Sequence, residues 1–171
     1  MAIDRNNGDK LWQDSIKLEM KDVFVAFTEY TDDVKKLIGY KEITGHLVFD
    51  VKLGENFRRK ARFCADGHKT DPPTSTTYST VVSRDSIRII LLVAALNELE
   101  LLAGDIKNAY LTAPNREKVY LYAGPEFGIH EDKCFIITKA LYGLKSAGAS
   151  FRSYLAKKLD EMGSTSSIRR P

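Results

Sequence analysis

Asp105 and Tyr110 stand five positions apart in Gly104-Asp105-Ile106-Lys107-Asn108-Ala109-Tyr110-Leu111, directly after the largely apolar run Leu99 to Ala103. A strand built from that run would carry a carboxylate out of a hydrophobic layer into a loop or cleft. There it suits Mg²⁺, a hard cation that takes carboxylate, carbonyl and water oxygens. The alternative is an Asp that hydrogen-bonds its own turn. Tyr110 carries the same choice, between a site residue and a half-buried ring with a bonded hydroxyl.

A second group with chemical potential is Arg58, Lys60 and Arg62, which the two-residue period of a strand places on one face, with Ala61, Phe63 and Ala65 on the other. Such a row can neutralise the phosphates of a nucleotide or of a nucleic-acid backbone. It can equally be the solvated face of a strand. The stretch Ala140 to Ala149 has two glycines around Lys145, which lets backbone approach a ligand closely, but it lacks the Lys-Ser/Thr ending of a phosphate loop. His46, His68 and His130 are scattered, and no serine sits in a nucleophile-elbow context, which argues against triad hydrolases. Cys64 and Cys134 are far apart, with neither zinc-ligand spacing nor a disulfide framework.

The elements that must position these groups follow from periodicity. Trp12, Ile16, Met20, Val23, Phe24 and Phe27 recur at helical spacing. Residues His46 to Lys52 and Phe57 to Ala65 read as a hairpin around Leu53-Gly54-Glu55-Asn56. Asp66 to Thr80 is a Pro-, Thr- and Ser-rich loop. Ser83 then caps a helix whose stretch Ile87 to Leu96 is apolar almost all round, as expected of a central buried helix. Leu99 to Ile106, Val119 to Tyr122 and Cys134 to Thr138 read as strands, and Ala147 to Met162 as a last helix stopped by Gly163. Residues 1–10 and 164–171 show no core-forming pattern and are expected to be disordered.

The 171 residues, 43% hydrophobic and 29% charged, fit one globular domain of α+β type. A net charge of +3 is compatible with a nucleic-acid partner without requiring one. The longest apolar run, Ile89 to Leu96, is too short to cross a bilayer, so no membrane partner is expected and a cytoplasmic or nuclear location is.

In order along the chain, the Trp12 helix with Glu19, Phe49-Asp50-Val51-Lys52, Arg59-Lys60-Ala61-Arg62, Thr77-Tyr78-Ser79-Thr80-Val81-Val82, Arg84-Asp85-Ser86-Ile87-Arg88, Asp105 to Leu111, Glu117-Lys118-Val119-Tyr120 and Ala140 to Lys145 resemble the reverse transcriptase of copia-type (Ty1/copia) long-terminal-repeat retrotransposons. The resemblance spans about residues 11–163. It implies an incomplete right-hand polymerase, with fingers at about 11–80 and 113–146 and palm at about 81–112 and 147–163. By the same resemblance Asp105 and the Ile106 carbonyl would hold metal in a two-Mg²⁺ site, and Asn108 and Ala109 would offer amides to a triphosphate. Tyr110 would be the steric gate against a ribose 2′-hydroxyl. Lys60 and Arg62 would meet triphosphate or, with Arg58, template, while Tyr142, Gly143 and Lys145 would line the nucleotide pocket.

Where many relatives of that family read Leu-Lys-Gln-Ala/Ser-Pro-Arg, this chain has Leu144-Lys145-Ser146-Ala147-Gly148-Ala149, which points to a different branch. The Tyr-Val-Asp-Asp-type motif that carries the other two catalytic carboxylates is absent. The resemblance therefore implies a fragment of an RNA-directed DNA polymerase that is inactive alone, with part of the central helix uncovered. Expected partners are RNA template, DNA primer, deoxynucleotides and the RNase H and integrase regions of a parent polyprotein, within a virus-like particle in an intact element. The alternatives are a catalytically dead nucleic-acid-binding remnant and an unrelated α+β domain.

Overall fold

The computed structural model describes residues 2–54, 56–72, 77–79 and 81–164. Helix α1 (Ala2–Asn7) precedes α2 (Leu11–Val23), and then come β1 (Phe27–Glu29), β2 (Lys41–Glu42), β3 (Gly45–Lys52) and β4 (Arg58–Ala65). They are followed by α3 (Arg84–Leu96), α4 (Ala109–Thr112), β5 (Val119–Tyr122), β6 (Cys134–Ile137) and α5 (Ala147–Glu161). Helices and strands are mixed without a regular βαβ alternation, in keeping with the α+β expectation.

Two sheets organise the chain. One has the order β1-β6-β5-β2, antiparallel except where β2 runs parallel to β5; the other is the β3–β4 hairpin, in register from Gly45↔Ala65 to Lys52↔Arg58. Between them lies an aromatic core. Phe27 meets Phe63 edge-on at 5.8 Å and Phe127 at 5.1 Å, while Phe127 stacks on Phe135 at 5.8 Å. The near-zero exposure of Phe63, Phe135, Leu121 and Leu141 makes this the part of the protein where loss of a side chain would cost most.

Helix α2 ends earlier than its apolar spacing predicts. Residues Phe24–Ala26 tighten into a 3₁₀ turn and Phe27 enters β1 opposite Ile137. The aromatic contacts of Phe27 are available only from that strand, so tertiary packing overrides the helical period. The same helix, together with Tyr142, closes the open edge of the hairpin. Ala61 N–H donates to Ser15 Oγ at 2.7 Å, Phe63 N–H to Glu19 Oε1 at 2.9 Å, and Ala65 N–H to the Tyr142 carbonyl at 2.8 Å. Alternate amides along β4, which would otherwise invite another strand, are thus satisfied.

Three expectations are corrected. The N-terminus is ordered as α1, because the Asp4 carboxylate, 1% exposed, accepts from Trp12 N–H at 3.2 Å and Gln13 N–H at 2.9 Å and so caps α2 from outside it. Helix α3 forms as predicted, with Ser83 Oγ accepting from Ser86 N–H at 3.0 Å, but it is not buried. Of its apolar residues only Ala94 is shielded, and Ile89 and Leu92 are 61% and 58% exposed. The stretch Leu99 to Ile106 is irregular rather than a strand, with Leu102 fully exposed. A strand needs a ladder and an apolar helix needs a facing layer, and the described residues supply neither at this place. The expected tail at residues 165–171 lies outside the described residues, as does Thr80; no described helix is long and apolar enough to cross a membrane.

Candidate functional site

The cation row forms as the alternation predicts. Ala61, Phe63 and Ala65 are buried while Arg58, Lys60 and Arg62 face outward. Asp50 sits opposite Lys60 in the ladder but is drawn to Lys52 at 3.1 Å, and that hydrogen-bonded pairing holds its carboxyl below the usual range. Lys60 and Arg62 form no ion pair among the described residues.

A cleft of about 750 Å³ opens between α2, the start of β4 and the segment before α4, and it has Arg58, Lys60, Asp105, Ile106, Asn108 and Tyr142 in its walls. A small recess beside it is lined by Lys60, Arg62, Asn108, Tyr110 and Tyr142. Most of the predicted site residues, far apart in sequence, thus converge on one place. Ala109 opens α4, half-buried and outside the walls of both cavities. The Tyr110 ring lies 4.8 Å from that of Tyr142 and 6.1 Å from that of Phe151 on α5, which braces it from behind.

Two further predicted residues are elsewhere. Gly143, at φ +90, packs on the hairpin end, where an added Cβ would lie 1.9 Å from the Ala65 carbonyl oxygen. Its need for glycine is thus a close backbone crossing and not room for a ligand. Lys145 donates to the Thr70 carbonyl, outside the cleft. Next to it Glu117 Oε1 accepts from both the Ser146 amide, at 2.8 Å, and its hydroxyl, at 2.7 Å, which anchors the start of α5.

Residue-type reasoning passed over Ser15 and Asp22. They share one face of α2 with Glu19, at spacings of four and three, and that polar stripe beside the apolar one was a readable signal. Asp22 accepts from Asn108 Nδ2 at 2.9 Å and from Lys107 Nζ at 3.0 Å, and these bonds, the Asn108 amide first, hold its carboxyl below the ordinary value. Asp66, at the base of the hairpin, is another. Its carboxylate accepts from Thr44, Lys69 and His46, with His46 Nδ1 at 2.8 Å, and is lowered to about 2, chiefly by the Thr44 hydroxyl.

The donor set sets a limit on metal chemistry. Asp14, Asp105 and the Ile106 carbonyl are hard oxygens in the cleft walls for which the contacts show no structural task, whereas Asp22 and Glu19 are engaged. No group of three potential metal-ligating side chains exists among the described residues. By themselves they do not fit a two-metal site.

The cleft, with its cation row, Asp105 and a braced tyrosine beside it, belongs to an α+β fold matched over residues 29–168 by the family model described as reverse transcriptase (RNA-dependent DNA polymerase), and the chain belongs to that family. It is a copia-type domain. The chain is 32% identical over 167 residues to the Transposon Ty1-BL Gag-Pol polyprotein of Saccharomyces cerevisiae, covering 92% of this chain and 10% of the polyprotein. It is also 32% identical to the Truncated transposon Ty1-A Gag-Pol polyprotein of the same organism, covering 92% of this chain and 14% of that one. The chain therefore spans about a tenth of the length of the curated relatives it matches. No solved structure matches.

Proposed function

We propose that this segment grips the incoming deoxynucleotide and the template for an RNA-directed DNA polymerase within a retrotransposon polyprotein. The observation that carries the reading is the convergence of Arg58, Lys60, Asp105 and Tyr142 on one cleft, with Arg62 and Tyr110 at its side. Lys60 and Arg62 take the triphosphate, Arg58 extends the row toward the template backbone, and Asn108 and Ala109 present backbone amides. Tyr110, held by Tyr142 and Phe151, blocks a 2′-hydroxyl. In right-hand terms, residues 11–80 and 113–146 act as fingers and residues 81–112 and 147–163 as palm.

In this reading Asp105, with the Ile106 carbonyl, is the share of a Mg²⁺ site that this segment contributes. Bound metal would offset charge on the attacking and leaving oxygens of an in-line displacement. With one such carboxylate, these 171 residues do not extend a primer by themselves. The further carboxylates, like the RNase H and integrase partners, come from outside them. The lack of a three-ligand cluster among the described residues also favours a second reading, a nucleic-acid-binding remnant that uses the cation row without catalysis.

Anisotropy of a labelled primer-template, titrated at a series of salt concentrations, tests the shared claim. R58A/K60A/R62A should weaken binding and flatten the log–log salt slope by roughly 2–3, since each lost phosphate contact removes somewhat under one unit. An unchanged slope would remove the cation row from both readings. Primer extension by a longer polymerase segment carrying D105N separates the two: loss of extension with binding retained supports the metal-ligand role, and retained extension refutes it.

A further inference from the structure

We propose that Asp22 is a positioning residue for nucleotide selection, acting through Asn108 on the ring of Tyr110. The inference rests on the reading of the cleft as a deoxynucleotide site and adds to it the group that keeps the gate in place. Asn108 precedes α4 with φ 52 and ψ 41, the left-handed conformation, and its side chain makes no cap bond to that helix. Asparagine adopts this conformation more readily than other non-glycine residues, and its side chain, making no cap bond, is available to a partner outside the turn. That partner is Asp22, 86 positions earlier, which accepts from Asn108 Nδ2 at 2.9 Å and from the neighbouring Lys107 Nζ at 3.0 Å.

The place of Asp22 on α2 gives this contact its meaning. Ser15 and Glu19, on the same helical face, bind the amides of Ala61 and Phe63 on β4, whose preceding and intervening outward residues are Lys60 and Arg62. One rigid helix thus grips the cation strand at one end and the Asp105-to-Tyr110 turn at the other. It thereby sets the separation between the groups that hold a triphosphate and the ring that must meet the sugar. From Asn108 the restraint passes into α4, where Leu111 N–H donates to the Asn108 carbonyl at 2.9 Å and Ala113 N–H to the Tyr110 carbonyl at 3.0 Å. Tyr142 and Phe151 brace the ring from other sides, but among the described residues only the Asp22 contact ties its backbone to the helix that holds β4. A gate that yields by an ångström no longer excludes a hydroxyl.

The test uses the 171-residue chain with its D22A and D22N variants. The readouts are amide hydrogen exchange and competition of dATP against ATP, both as magnesium complexes. In D22A, exchange at Leu111 and Ala113 should rise about tenfold, as loss of a hydrogen bond to a charged group implies, while Ala61 and Phe63 stay as protected as in the unmodified chain. Preference for dATP over ATP should fall with it. D22N, whose amide oxygen still accepts from Asn108 Nδ2, should restore both. Unchanged exchange at Leu111 and Ala113, unchanged preference, or loss of protection at Ala61 and Phe63 as well would each overturn the positioning role. Failure of the unmodified chain to bind dATP would overturn the functional reading beneath it, and that outcome is visible without any variant.

Discussion

Replacing Gly143 with alanine should be among the most damaging single-methyl additions this fold can receive. The residue sits at φ +90, where an L side chain is strained by roughly 1–3 kcal/mol. The new Cβ would also lie 1.9 Å from the Ala65 carbonyl oxygen and 3.0 Å from its carbonyl carbon, so the two backbones must part. Parting them breaks the Ala65 N–H to Tyr142 carbonyl bond of 2.8 Å, worth about 1 kcal/mol net and more if the amide stays buried. Together these terms put G143A about 3 kcal/mol below the unmodified chain. Urea unfolding followed by the fluorescence of Trp12, the single tryptophan, is the assay, and G54A is the control because a Cβ there meets nothing within 4 Å. Equal midpoints for G143A and G54A would refute the close crossing and reopen a ligand-facing role for Gly143.

Other consequences can be checked with the same material. Asp66, 9% exposed and lowered to about 2 from the model-peptide value of 3.8, is ionised more readily folded than unfolded. Its contribution of about 2 kcal/mol is therefore complete above pH 4 or so and disappears as the pH falls through 2; D66N should flatten the acid limb of stability in urea melts at pH 5 and pH 2.5, and an unaltered limb would refute the assignment. Ile89 and Leu92 are more than half exposed on α3, so I89K/L92K should raise the monomer fraction in size-exclusion chromatography without lowering the melting temperature; a clear loss of stability would mean that this face is packed after all.

What the sequence made legible was whatever local periodicity decides. The alternation through Arg58 to Ala65 placed the cation row on the correct face, Ser83 capped its helix, and Gly163 followed the end of α5. Failures came where a partner element decides. Ile87 to Leu96 has the composition of a buried helix and Leu99 to Ile106 that of a strand, yet both are uncovered, since hydrophobic pattern states what a segment can bury and not whether a layer is present to bury it. Asp4 reads as an ordinary polar N-terminal residue until the α2 amides it caps are in place. Lys145 and Gly143 were assigned to the nucleotide pocket by the resemblance, whereas their contacts are with the Thr70 carbonyl and the end of β4. The convergence of Lys60 with Asn108 and Tyr142 was implied by motif order, but the helix that enforces it was read only for its apolar stripe.

Charge in the cleft shows why global counts said so little. Its walls include Asp14, Glu19, Asp22 and Asp105 against Arg58, Arg59, Lys60 and Lys107, a formal balance that would offer a polyanion nothing. The contacts engage charges of both signs. Asp22 and Lys107 neutralise each other, Glu19 is turned to the Phe63 amide, and Arg59 lies over the Trp12 ring at 5.7 Å while donating to the Phe57 carbonyl at 2.5 Å. Of the other charged wall residues, Arg58 and Lys60 lie on β4, Asp14 on α2 and Asp105 in the segment before α4, so the two signs sit on different elements. On the proposed reading, a triphosphate would be drawn to the cations of β4 and its metal to Asp105, which a cleft of uniform positive charge would not achieve. On that reading the structural pairing of Asp22 and Glu19 would itself favour binding, because each acid so engaged is one fewer repelling phosphate.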